Sequence, residues 1–195
     1  MSLSGKTICV FCASSPKTLQ KYREDGCRLG AVLAQKGAGI ICGAGREGMM
    51  QAVTDGALEA GGKVTGVIPE FMVEKFWHHP NLTEMITTKD MHSRKETMSK
   101  RSDAVIALPG GVGTFEELLE IITWRQLGIY GKPIVILNTD GYYNALLQLF
   151  DHAIAEHFMA PENRGLWYLA NTVEEAVEYL DSHDCMTANP VIEKY

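Results

Sequence analysis

Three short segments combine small residues and open backbone in a way that suits an anionic ligand. They are Ala13-Ser14-Ser15-Pro16, Gly43-Ala44-Gly45-Arg46-Glu47-Gly48 and Pro109-Gly110-Gly111-Val112-Gly113-Thr114. Where side chains are missing, backbone N–H groups can approach a phosphate closely. A following helix adds its unpaired first-turn amides and the positive end of its dipole. The three turns together make Ser14, Gly43, Gly45, Gly110, Gly111, Val112, Gly113 and Thr114 candidate ligand contacts. Alone, the G-x-G-x-x-G of Gly43–Gly48 is a weak signal. A dinucleotide site expects an acidic residue about 20 residues on, whereas Glu59 falls inside a helical stripe. No Gly-Lys-Ser/Thr follows either glycine loop, which excludes a P-loop.

Glu117 is singled out by position: it stands one turn into a helix whose start is built for an anion. Thr114-x-x-Glu117 also has the spacing of a helix capping box. Thr172-Val173-Glu174-Glu175 repeats that pattern without a glycine loop, so the spacing by itself proves nothing. The second constellation is Met91-His92-Ser93-Arg94-Lys95, continuing to Lys100 and Arg101. Arg94 and Lys95 open their helix, where cations oppose its dipole, and an external anion would account for them. Lys100 and Arg101 read as a solvated basic face. His92 is a second-tier titratable group. His152 and His157 have the wrong helical spacing for a metal, and His78-His79 reads as loop or lid. No metal and no cofactor is expected.

The elements that must position these residues alternate short β-branched runs with helix-length segments, the pattern of a parallel α/β sheet. Strands are expected at Thr7–Cys12, Gly39–Cys42, Lys63–Ile68, Ala104–Leu108, Pro133–Leu137 and Leu166–Leu169, with a short edge at Met85–Thr87. Helical stripes run through Tyr22–Leu33, Met49–Ala60, Met91–Arg101, Thr114–Gly128 (Leu118, Leu119 and Ile122 inward), Tyr142–His157 and Thr172–Leu180. Pro69–Pro80, with Trp77-His78-His79, is the least regular stretch, a candidate loop over a site or a partner surface. The expected fold is a doubly wound, three-layer αβα parallel sheet forming one domain over residues 1–195. Its ligand belongs beyond the carboxyl ends of the strands.

Composition bounds the partners. A net charge of −6 in 195 residues lacks the basic footprint of a nucleic-acid binder. Ile8–Cys12 is too short to span a membrane, and no targeting segment is apparent. Cys9, Cys12, Cys27, Cys42 and Cys185 are odd in number and partly in apolar runs, as reduced thiols of a cytoplasmic protein would be. In a strand, Cys9 and Cys12 would face opposite sides, which argues against a redox or metal pair.

Pro109-Gly110-Gly111-Val112-Gly113-Thr114-Phe115-Glu116-Glu117 matches a P-G-G-x-G-T-x-x-E motif, and Met91-His92-Ser93-Arg94-Lys95 its companion M-H-x-R-K. Together they resemble the LOG ("lonely guy") family of cytokinin riboside 5′-monophosphate phosphoribohydrolases, long mislabelled lysine decarboxylases. The likeness runs from Phe11–Ser15 through Gly66–Pro69 and Thr123–Gly128 to Asp140–Tyr143. It implies a Rossmann-like nucleotide-binding domain, residues 1–195, that forms a homodimer and cleaves the N-glycosidic bond of a purine nucleoside 5′-monophosphate, releasing base and ribose 5-phosphate. By motif match Arg94 and Glu117 take catalytic positions. Met91, Lys95, Gly111, Gly113, Thr114, Glu116 and Thr123 take substrate-contacting ones. Ala13, Ala44 and Cys42 depart from the family's usual residues. A non-catalytic nucleotide or molybdopterin carrier and an NAD(P)-dependent oxidoreductase are the competing readings. A decarboxylase would need a Schiff-base lysine and a pyridoxal site, and no motif for either is visible.

Overall fold

The computed structural model describes residues 2 to 182. Cys185 lies outside them. The strands are β1 (Thr7–Phe11), β2 (Gly39–Cys42), β3 (Val64–Pro69), β4 (Glu84–Thr88), β5 (Ala104–Ala107), β6 (Ile134–Leu137) and β7 (Tyr168–Ala170). Between them run α1 (Gln20–Gln35), α2 (Gly48–Glu59), the short α3 (Glu70–Val73), α4 (Met91–Arg101), α5 (Val112–Gln126), α6 (Asn144–Ala155) and α7 (Val173–Ser182). All strand pairs are parallel, in the order β4-β3-β2-β1-β5-β6-β7. The chain builds outward from β1 to β4, then returns to lay β5 against the other side of β1. The crevice at that reversal is where an open parallel sheet binds its ligand.

Apolar side chains of β1, β2, β5 and β6 alternate between two cores. Ile8, Val10 and Cys12 pack with Leu29 and Leu33 of α1, Val53 of α2 and Val177 of α7. Cys9 and Phe11 pack on the other face with Met98 of α4, Leu118 and Ile121 of α5 and Phe150 of α6. Cys9 and Cys12 thus face opposite cores, as their spacing implies.

Local chemistry differs from the expectations in several places. Asp90 caps α4: its carboxylate accepts from the Ser93 amide at 2.7 Å, and the Ser93 hydroxyl accepts from the Asp90 amide at 3.3 Å. Thr114 is not a cap, because α5 begins at Val112 with Gly111 at the N-cap position. Thr172, the comparison case, does cap α7, accepting from the Glu175 amide at 3.1 Å. Leu119 points outward, at 40% exposure, and Ile121 takes the inward position instead. Leu166 closes a 3₁₀ turn (Pro161–Leu166), so the last strand starts at Tyr168. His79 is buried, its ring nitrogen 3.0 Å from Asp55, so it is no solvated loop residue.

Helices α1 and α2 approach closely because glycine faces backbone at the crossing. A Cβ on Gly30 would overlap the Val53 carbonyl, and one on Gly56 the Cys27 carbonyl. Backbone cannot yield as a flexible side chain can. Gly30→Ala should therefore lower stability by about 1–3 kcal/mol despite alanine's better helix propensity. Urea unfolding should show a lower midpoint at unchanged m-value; an unchanged or higher midpoint would contradict this packing.

Candidate active site

The loops after β1, β2 and β5 converge with the start of α4 on a cavity of about 740 Å³, within the size range of small-molecule sites. Its lining includes Ser14, Gly43, Gly45, Met91, Arg94, Gly111, Gly113, Thr114, Glu116 and Glu117. Lys95, Gly110, Val112 and Thr123 are not part of that lining. Val112 projects into solvent. Gly110 sits beneath the side chain of Thr114, which occupies the space a Cβ would need. Thr123 lies further along α5 and donates to the Leu119 carbonyl at 2.8 Å.

The glycines of the two loops serve different purposes. In the loop after β2 every glycine makes room for protein. A Cβ on Gly43 would overlap the Arg94 guanidinium, one on Gly45 would come 2.7 Å from the Met50 sulfur, and one on Gly48 would press on the Ser14–Ser15 backbone. Gly48 also has φ +64°, in the left-handed region that glycine favours. The Met50 amide is spent on the Ala13 carbonyl at 3.1 Å. At Gly111 and Gly113, by contrast, a Cβ would meet nothing within 4 Å. The α5 end alone therefore combines open space with first-turn amides that lack an intrahelical acceptor.

Arg94 and Glu117 meet inside the cavity. Arg94 Nη1 donates to Glu117 Oε1 at 2.7 Å, and Arg94 Nε donates to the Val67 carbonyl at 3.1 Å. Both side chains are almost fully buried, at 5% and 6% exposure. Burial pushes the Glu117 carboxyl above the ordinary glutamate range, and the Arg94 guanidinium only partly offsets this. Arg94 opposes the dipole of α4 because a carboxylate of α5 holds it. Lys95 is explained the same way: its ammonium bonds Glu116, and Glu120 at 3.0 Å. Desolvation works against that ammonium, but its two carboxylate bonds win and raise its pKa. The external anion expected for both cations is thus, for Lys95, an internal pair of carboxylates.

Met50, Ile68, Met72 and Trp77 line the apolar side of the cavity. There the sequence marks only the Pro69–Pro80 stretch, with Met72 and Trp77, as a candidate loop over a site; Met50 and Ile68 carry no such signal. Trp77 belongs to the irregular stretch after β3, which is strapped onto the loop after β2. His78 bridges Gly45, the Arg46 amide donates to the Trp77 carbonyl at 3.1 Å, and Arg46 Nη1 donates to the Phe76 carbonyl at 3.0 Å. Phe76 takes φ +56° to make the turn, an uncommon conformation that no residue pattern announces. Among the described residues no helix is long and apolar enough to cross a membrane.

Residues 50–180 match a family model described as possible lysine decarboxylase. A probable cytokinin riboside 5′-monophosphate phosphoribohydrolase of Oryza sativa subsp. japonica is 42% identical over 91% of this chain and 71% of its own length. A cytokinin riboside 5′-monophosphate phosphoribohydrolase of Arabidopsis thaliana is 42% identical over 91% of this chain and 83% of its own. Among solved structures, a structural-genomics crystal structure superposes with TM-score 0.71 at 26% identity, covering 91% of this chain and 99% of that one. The molybdenum cofactor carrier protein of Chlamydomonas reinhardtii shares the fold (TM-score 0.67, 22% identity, 90% and 95% coverage). By the extent and identity of these matches, the chain belongs to the LOG family of cytokinin riboside 5′-monophosphate phosphoribohydrolases, the family whose model carries the decarboxylase description.

Proposed function

We propose that this protein hydrolyses the N-glycosidic bond of a purine nucleoside 5′-monophosphate, giving the free base and ribose 5-phosphate. One observation carries the reading: a single cavity joins the open N-terminus of α5 to the buried Arg94–Glu117 pair. The 5′-phosphate binds at the amides around Gly111, Gly113 and Thr114, where the helix dipole favours negative charge. That anchor uses binding energy remote from the reacting bond to set the sugar beside Glu117. As the bond between C1′ and the purine nitrogen breaks, its electron pair leaves with the base and positive charge develops on the ribose. The Glu117 carboxylate stabilises that charge, and Arg94 holds the carboxylate in place. Water adds to C1′, and the proton it releases balances the departing base.

The apolar side of the cavity, with Met50, Met72 and Trp77, suits the purine and an N6 substituent. AMP and its N6-isopentenyl analogue are accordingly both assigned as substrates. The carrier reading has only the shared fold behind it, and a carrier has no use for a buried acid–guanidinium pair beside its ligand. The decarboxylase description gains nothing from the lysines here: Lys95 is tied to Glu116 and Glu120 outside the cavity lining, and Lys75, which lines the cavity, lies with its ammonium 4.8 Å from the Trp77 ring centroid. A homodimer is also proposed. Its apolar contact would come from Leu119, Leu127 and Ile129, which are 40%, 43% and 68% exposed. Free buried thiols at Cys9, Cys12 and Cys42 suit a reducing, cytoplasmic setting.

The purified protein should release adenine or N6-isopentenyladenine from the respective monophosphates and much less from the unphosphorylated nucleosides; no free base from either nucleotide would overturn the assignment. Glu117→Gln keeps a hydrogen-bonding partner for Arg94 while removing the charge. Turnover should fall by about 100-fold or more with the circular dichroism spectrum retained. Residual activity near wild type would reassign the carboxylate.

The pH dependence follows from the raised Glu117 pKa. Because the folded value is the higher, this group's contribution to stability is greatest below the unfolded value and is lost as pH rises through the folded one. Activity runs the opposite way, since it needs the ionised form. The acid limb of kcat/KM should therefore have its midpoint above the ordinary glutamate value of about 4.3. A limb at or below that value would show that another group controls it.

A further inference from the structure

The amides at the start of α5 can receive a phosphate only if the loop before them holds its peptide planes in one orientation. Pro109-Gly110-Gly111 cannot do so unaided, because glycine is the residue with the greatest backbone freedom. Two consecutive tyrosines supply the restraint. The Tyr142 hydroxyl donates to the Gly110 carbonyl at 2.5 Å, and the Tyr143 hydroxyl donates to the Leu108 carbonyl at 2.7 Å. In a trans peptide the C=O of one residue and the N–H of the next point in opposite directions. Drawing the Gly110 carbonyl toward Tyr142, which is not part of the cavity lining, turns the Gly111 N–H the other way. Gly111 itself lines the cavity.

Tyr142 is held by its own surroundings. It follows a turn in which Asp140 adopts φ +50° and Gly141 φ +73°. Asp140 pairs with Lys21 of α1 at 2.7 Å, and the Tyr143 amide donates to the Asn138 side chain at 2.7 Å. The Tyr142 ring stands edge-on to Tyr22 at 5.6 Å and to Tyr143 at 5.1 Å. Burial keeps both hydroxyls above the ordinary phenol range, so both remain donors across the pH range of activity.

We propose that Tyr142, backed by Tyr143, is a positioning residue for phosphate recognition: its hydroxyl fixes the Gly110–Gly111 peptide so that the mouth of α5 presents its amides to the ligand. The assignment rests on the phosphate placement of the preceding subsection. Tyr142→Phe removes the hydroxyl and leaves the ring contacts that keep the turn folded.

The test is calorimetric and kinetic, with ribose 5-phosphate, ribose and adenine as probes on wild type and Tyr142→Phe. The variant should bind ribose 5-phosphate about 10-fold more weakly. Its KM for AMP should rise by a similar factor, any fall in kcat should be smaller than that rise, and adenine should bind as before. Unchanged binding of ribose 5-phosphate by the variant, where wild type binds it, would overturn the role of Tyr142 alone. Equal weakening of adenine would also overturn it, as general distortion of the cavity. If wild type binds ribose 5-phosphate no better than ribose, the phosphate placement fails and this role with it.

Discussion

The contact between Arg94 and Glu117 is the constraint around which the site is arranged. Two charged side chains so deeply buried lose most of their hydration, and such pairs are weak contributors to stability compared with apolar packing. Their surroundings are built to tolerate them. Gly43 leaves the space that the guanidinium fills, Val67 offers a carbonyl to Arg94 Nε, and α4 and α5 bring the partners within 2.7 Å. Removing either partner alone would leave an uncompensated buried charge, at a cost of about 3–5 kcal/mol. An arrangement that is costly to keep and contributes little to folding points to function, and in the reaction proposed above that function is charge stabilisation beside a nucleotide's sugar.

From that pair the rest of the cavity can be understood as a division of labour between ends. At one end the mouth of α5 offers amides and open space, with the tyrosine-braced loop behind it. At the other, methionines and Trp77 offer a flat, adaptable apolar wall. Glycine is abundant around both, for opposite reasons. Gly43, Gly45 and Gly48 let side chains and backbone of the protein itself pack closely, whereas Gly111 and Gly113 face open space. Similar motifs on paper are therefore different devices in space: the G-x-G-x-x-G of the second loop lines the cavity through Gly43 and Gly45, but its glycines are required by packing.

Much of the fold is legible in the sequence because the parallel strands are unbroken apolar runs between clear turn signals. Gly39–Cys42 and Met91–Arg101 coincide with their elements, and the remaining boundaries shift by a few residues. Motif resemblance marks Arg94 and Glu117 as catalytic positions, and composition and spacing point only to an anion near each; their direct contact is visible only in the structure. What stayed hidden depends on long-range partners or on backbone conformation. Lys95 looks like a ligand cation until Glu116 and Glu120 face it from another helix. Ser93 looks unremarkable until Asp90 pairs with it across the start of α4. Leu119 fits the helical stripe, yet the core is already filled by Leu118, Ile121 and Ile122. The strap carrying Trp77 gives no periodic signal at all, because a left-handed Phe76 and backbone bridges to the second loop hold it.

The central claim is spatial: one nucleotide has its phosphate at the α5 mouth and its sugar against the side chain at position 117. A crystal structure of Glu117→Gln soaked with AMP tests it directly. Phosphate oxygens should lie within hydrogen-bond distance of the amides between Gly111 and Thr114, with the ribose in contact with the substituted side chain. Phosphate seated instead on the Gly43–Gly48 loop, or a ribose remote from that side chain, would contradict it.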